Sequence, residues 1–116
     1  MGFAKCFDVV SMVVDEATSQ FAPLWEINKE SYSILKQYCS AIDMIAKEFD
    51  VESYDVSVDD IAMTITIEME CLDMVIESDT HVFYSLAQRT KAFGFSVSEK
   101  GNLNVKFVFP SVWEKV

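Results

Sequence analysis

The sequence predicts an α+β fold: a two-layer sandwich in which a mostly antiparallel sheet of four or five strands carries helices on one face. Three observations lead there. Apolar residues recur every three or four positions in three stretches. Two other stretches alternate apolar and polar residues, each interrupted by a turn-forming segment. From residue 29 the order helix, hairpin, helix, hairpin follows, and neither helix-plus-hairpin unit could bury its apolar side alone. The chain has 116 residues, 51% hydrophobic, with only 3 Gly and 2 Pro. That fits a single domain, residues 1–116, and excludes a disordered or collagen-like chain.

The first helix is expected at 3–20. Phe3, Phe7, Val10, Val14, Ala17 and Phe21 line one side, and Lys5, Asp8, Asp15 and Ser19 the other. The β-branched pairs Val9-Val10 and Val13-Val14 oppose the helix without breaking its spacing. Pro23 ends the helical run, and 21–28 reads as a connecting loop anchored by Trp25. A second helix is expected at 29–49. Asn28 is a good N-cap, and Glu30 meets the positive end of the helix dipole. Ile34, Tyr38, Ile42, Ile45 and Phe49 form its stripe, widened by Leu35 and Cys39.

Alternation follows. Tyr54, Val56 and Val58 share one strand face, and Ile61, Met63, Ile65 and Ile67 share the next. With Asp59-Asp60 as a two-residue turn, Val58 opposes Ile61, Val56 opposes Met63 and Tyr54 opposes Ile65, so all apolar side chains fall on one side. Ser53, Asp55, Ser57, Thr64, Thr66 and Glu68 occupy the other. Beyond Met69 the phase changes to Leu72, Met74 and Ile76, which calls for a bulge near Glu70-Cys71 or a separate short strand.

Ser78 and Asp79 are caps for a third helix at 80–93, with a stripe of Val82, Phe83, Leu86, Thr90 and Phe93 and a stop at Gly94. In the second hairpin Phe95 and Val97 face Leu103 and Val105 across Glu99-Lys100-Gly101. Phe107 and Phe109 continue that face, and Pro110 suggests an exposed edge strand. The units at 29–77 and 79–110 thus form an (αββ)2-like pseudo-repeat behind the N-terminal helix. Lys47-Glu48-Phe49-Asp50-Val51 matches Lys91-Ala92-Phe93-Gly94-Phe95 at an offset of 44.

The element order over roughly residues 29–109, together with the acidic charge, resembles the type III secretion chaperone-like class of small, acidic, dimeric α+β proteins. The likeness is one of element order and charge. It implies a homodimer. The N-terminal helix is additional to that pattern, and its C-terminal helix is missing.

The net charge of −10 and pI of about 4.3 argue against nucleic-acid and anionic membrane partners, which require clustered Lys and Arg. No apolar run approaches the roughly 20 residues of a membrane span. Asp8 interrupts the N-terminal apolar stretch, so it does not read as a secretory leader. Cys6, Cys39 and Cys71 are odd in number and widely spaced, which speaks for free thiols in a reducing, cytoplasmic setting.

The charge is segregated. Eleven of the nineteen acids lie between Glu48 and Asp79, and no Lys or Arg stands between Lys47 and Arg89. A solvated, solubilising face is the plain reading. A docking surface for a basic partner protein is the sharper one, with Asp55, Glu68, Glu70 and Asp73 as candidate contacts. Trp113, beyond the aromatic strand of Phe107 and Phe109, is a further candidate, since these aromatics can exceed what a small core holds.

Chemistry is sparse. His81 is the single histidine, and a pairing with Cys71 lacks an orienting third group. Gly2, Gly94 and Gly101 make no phosphate loop, and Ser11, Ser31 and Ser111 sit in no nucleophile elbow. No catalytic, metal or cofactor residue is therefore assigned. The expectation is a non-enzymatic interaction or assembly domain, chaperone- or adaptor-like and homodimeric. The alternative is a small-molecule or enzymatic pocket between sheet and helices near His81 and Cys71.

Overall fold

The computed structural model describes residues 5–71, 83–88 and 90–116. Its elements are α1 (Cys6–Phe21), β1 (Trp25–Ile27), α2 (Lys29–Glu48), β2 (Tyr54–Asp59), β3 (Thr64–Cys71), a single turn α3 (Tyr84–Ala87), β4 (Ala92–Val97), β5 (Leu103–Phe109) and β6 (Trp113–Lys115). Strands β2, β3, β5 and β4 form, in that order, a four-stranded antiparallel sheet, and β1 and β6 form a two-stranded ribbon. The fold is α+β, with the helices packed on the sheet. Ile65 and Val105 are both fully buried in one core cluster with Val10, Val14, Leu35 and Ile42, so both hairpins share an interior.

Helix α1 buries Cys6, Val10, Val14 and Ala17, with Phe7 and Phe21 packed at the margin. Its own N-cap, Lys5, supplies no side-chain acceptor. The first-turn donors of a helix need partners from elsewhere. Here Asp43, from the far part of α2, accepts the Cys6 N–H at 2.8 Å. The same Oδ1 accepts the Tyr54 hydroxyl of β2 at 2.7 Å. One carboxylate oxygen therefore joins both long helices to β2. Helix α2 starts as its sequence foretells, with the Asn28 side chain accepting the Ser31 N–H at 2.9 Å. Its buried stripe is Leu35, Cys39, Ile42 and Ala46, rotated from the expected one. Ile34 is 47% exposed, because the helix meets α1 as well as the sheet.

The expected loop at 21–28 contains strand β1. After the cis Ala22-Pro23 peptide, Trp25, Glu26 and Ile27 pair with Lys115, Glu114 and Trp113. The chain terminus thereby closes over α1. Trp113 Nε1 donates to Thr18 Oγ1 at 2.9 Å, and its ring meets Phe21 edge-on at 5.1 Å. A three-residue strand has no pattern to read, and its partner is about ninety positions away.

The β2–β3 hairpin corrects the expected register. Tyr54, Val56 and Val58 oppose Met69, Ile67 and Ile65, and Asp60–Met63 form a four-residue loop. Asp59 Oδ1 accepts the N–H groups of Ile61 at 2.9 Å and Ala62 at 3.0 Å, wrapping the loop around itself, and Met63 takes φ 58°. The shift is an even number of residues, so the faces are preserved. Ile65, Ile67, Met69 and Cys71 point into the core. Ile61, expected inside, is 92% exposed at the loop, and Thr64, expected outside, is buried. Pairing with β5 is unbroken to Cys71, so no change of phase occurs before that residue. The continuation at 72–77 lies outside the described residues.

The third helix is also corrected. The described helical residues end at Ala87, and Phe93 and Gly94 belong to β4. The segment 80–82 lies outside the described residues. Phe93 stays core-facing within a strand, where a period of two serves it as well as a helical stripe. The β4–β5 hairpin follows the expected register: Phe95 opposes Val105 and Val97 opposes Leu103. Gly101, at φ 84°, supplies the left-handed conformation of the turn. Strand β5 is central, so the expected edge at Phe107 and Pro110 is wrong. Among the described residues the edges of the sheet are β2 and β4. The pseudo-repeat is not supported, because 47–51 closes a helix whereas 91–95 enters a strand.

Removing Asp43 deletes the acceptor of the Cys6 N–H and one partner of the Tyr54 hydroxyl. Asp43→Ala is expected to lower unfolding free energy in urea by about 1–3 kcal/mol. Burial, followed by the hydrogen bond to Asp43, raises the Tyr54 pKa above its ordinary value of 10. The fold favours the neutral phenol, so its contribution is complete below pH 10 and is lost as pH rises further. Relative to the parent, Tyr54→Phe is expected to flatten the alkaline decline in the urea midpoint; an identical pH profile would refute this assignment.

Candidate functional site

The sheet has one core face and one polar face. On the polar side β2 presents Asp55, Ser57 and Asp59, β3 presents Thr66, Glu68 and Glu70, and β5 presents Asn104 and Lys106. Asp55 stands directly opposite Glu68, and Glu68 directly opposite Lys106. A like-charge pair across neighbouring strands is unfavourable. A hollow of about 250 Å³ opens there, lined by Glu52, Asp55, Glu68, Glu70 and Asn104 along with Ser53 and Met69.

The expected contact residues thus separate into different roles. Asp55 and Glu68 share the hollow, Asp55 exposed and Glu68 half-buried. Glu70 lines it too, but its carboxylate is tied to the β4–β5 turn. Hydrogen bonds from Ser98 and from Asn102, the latter at 3.3 Å, hold its pKa below the ordinary carboxylate value, with Lys100 adding to the effect. Asp59 is likewise occupied by the loop N–H groups, which lower its pKa. Asp73 and His81 lie outside the described residues. Trp113 is 5% exposed and packed in the core, so it is corrected from a surface contact to a structural residue. Its indole N–H already has a partner, Thr18. Glu52 and Asn104 were not singled out from sequence. The true hairpin register brings Asn104 opposite Glu70, and no local signal reports that pairing.

The pocket expected near His81 and Cys71 falls largely on residues outside the described ones, and only Cys71 can be placed. Cys71 is 1% exposed in the core, and burial pushes its thiol up to about 11. Cys6 and Cys39 are buried free thiols, and the Cys6 pKa is raised by its hydrogen bond with Cys39 and by burial. A smaller apolar hollow of about 140 Å³ lies elsewhere, between α2 and the segment after β5, lined by Ile34, Tyr38, Phe109 and Pro110. Among the described residues, no group of three or more His, Cys, Asp or Glu could hold a metal ion. No helix among them is long and apolar enough to cross a membrane.

Searches of protein-family models, curated proteins and solved structures find no match to this chain.

A buried thiol with a pKa near 11 is neutral and shielded at pH 8. Native protein treated with iodoacetamide at that pH is expected to leave Cys71 unmodified for hours, whereas protein in urea is alkylated within minutes. Rapid labelling of Cys71 in the folded state, read by peptide mass spectrometry, would contradict its burial.

Proposed function

We propose that this protein is a non-enzymatic interaction domain whose polar sheet face captures a basic polypeptide segment. The observation that carries this reading is the Asp55–Glu68 pair. The exposed Asp55 carboxylate stands opposite the half-buried Glu68, whose other cross-strand neighbour is Lys106, beside a hollow with Glu52 and Glu70 on its walls. Their mutual repulsion is relieved when a Lys or Arg side chain from a partner enters between them. Complementary charge of this kind speeds encounter and selects partners. The buried thiols favour binding over nucleophilic chemistry, because a nucleophile must be exposed and ionised. They also fit a reducing, cytoplasmic compartment.

The test uses a fluorescent peptide of alternating Lys and Val, titrated at several salt concentrations. Binding is expected, with affinity falling as salt rises. Asp55→Lys and Glu68→Lys are each expected to weaken it more than tenfold. The same Asp55→Lys change replaces a like-charge pair by an opposite one, so its urea midpoint is expected to rise. A variant that is more stable yet binds less separates loss of the site from loss of the fold. Unchanged affinity in both charge-reversed variants would overturn the proposal.

A further inference from the structure

Strand β4 (Ala92–Val97) forms one edge of the sheet, and among the described residues no strand pairs with its outer side. The six residues carry no charge, Phe95 is 38% exposed and Val97 68% exposed. Natural edge strands are normally guarded by charges, Pro or a covering element. The opposite edge, β2, has such guards in Asp55 and Asp59.

The backbone orientation of β4 follows from its hydrogen bonds to β5. The Ser98 N–H donates to the Asn102 carbonyl at 2.7 Å, so Ser98 faces β5. In an antiparallel ladder alternate residues direct both backbone groups to the same side. Ser96, Gly94 and Ala92 therefore face β5, and Phe93, Phe95 and Val97 direct their N–H and C=O groups outward. A second strand can pair only with these three.

The geometry points to a symmetric homodimer formed by antiparallel pairing of β4 with β4 of a second copy, the two-fold axis passing between the two Phe95 residues. This surface lies apart from the acidic face and does not depend on the function proposed for it. In this register Phe95 meets Phe95, and Phe93 meets Val97. Each outward residue exchanges its backbone bonds, and the half-exposed rings cover one another. Just beyond the ends of β4 stand Lys91, whose N–H turns inward to the Val108 carbonyl, and Glu99 of the turn; both side chains are exposed, and antiparallel pairing brings the Lys91 end of one copy next to the Glu99 end of the other. The charge distribution favours the second copy as occupant. Pairing β4 with β4 makes one eight-stranded sheet, with the two β2 strands at its outer edges about 34 Å apart at ordinary strand spacing. That separation is well beyond the roughly 8 Å screening length at physiological salt. Joining β2 to β2 would instead bring Asp55 and Asp59 of both copies together.

Sedimentation equilibrium of the full chain at 1–100 µM tests this. A dimer is expected. Val97→Pro removes an outward N–H while sparing the β5 ladder, and should give a folded monomer. Ser96→Pro removes an inward N–H and should destabilise the fold instead. Phe95→Cys should form an intermolecular disulfide under mild oxidation, because paired Cα atoms of about 5.5 Å suit that bond. Monomeric parent protein at 100 µM, or a Val97→Pro variant that dimerises as well as the parent, would overturn the inference. If Val97→Pro failed to fold, the Phe95→Cys cross-link in the otherwise unaltered chain would decide the matter, and its absence would count against the dimer. Peptide capture by Val97→Pro is expected to match the parent, so failure of either surface leaves the other standing.

Discussion

The Asp43 carboxylate is the constraint on which the arrangement of elements depends. Helix α1 begins without a capping side chain of its own, and isolated helices of its length are marginal in water. It receives its acceptor only when α2 lies alongside, and that same oxygen takes the Tyr54 hydroxyl only when β2 is in place. Helix start, helix pairing and strand position are satisfied together or not at all. Such mutual dependence makes a small core cooperative: each hydrogen bond is modest, but losing the carboxylate takes the side-chain cap from the start of α1. Trp113 gives a second closure at the other end of α1, where its indole N–H meets Thr18 and the ribbon of β1 and β6 ties the chain terminus down.

The sheet divides the molecule chemically. Its inner face is dominated by apolar and aromatic side chains, with Phe83 within 6.4 Å of Phe49, Phe93, Phe95 and Phe107. Rings in such tilted and edge-on contacts add cohesion beyond the area they bury. Its outer face concentrates carboxylates on β2 and β3, some held by internal donors and others not. Glu70 and Asp59 are engaged by neighbouring turns, whereas Asp55 and Glu68 oppose each other. Among the described residues the two edge strands differ in character: β2 carries Asp55 and Asp59, whereas β4 is uncharged.

Much of this was legible in the residues themselves. Asn28 announced the start of α2, the period-two runs announced both hairpins, and Gly101 announced the turn that places Phe95 against Val105. What misled were local signals with two solutions. Asp59-Asp60 fits a two-residue turn, yet the Asp59 carboxylate stabilises a longer loop by accepting two N–H groups. Phe93 fits a helical stripe and a strand face equally, so its spacing extends a third helix, and with it a repeat, that the backbone does not follow.

By itself the sequence determined the fold class, the sidedness of each hairpin and the segregation of charge, because these follow from periodicity and composition, which are local properties. Only the tertiary structure decided that β5 is central and β4 an edge, that Trp113 is buried rather than offered to a partner, and that Asp55 confronts Glu68. Each depends on which distant segments meet. Spacing along the chain constrains which side a residue faces, but the neighbour across the sheet is chosen by the joint packing of all elements.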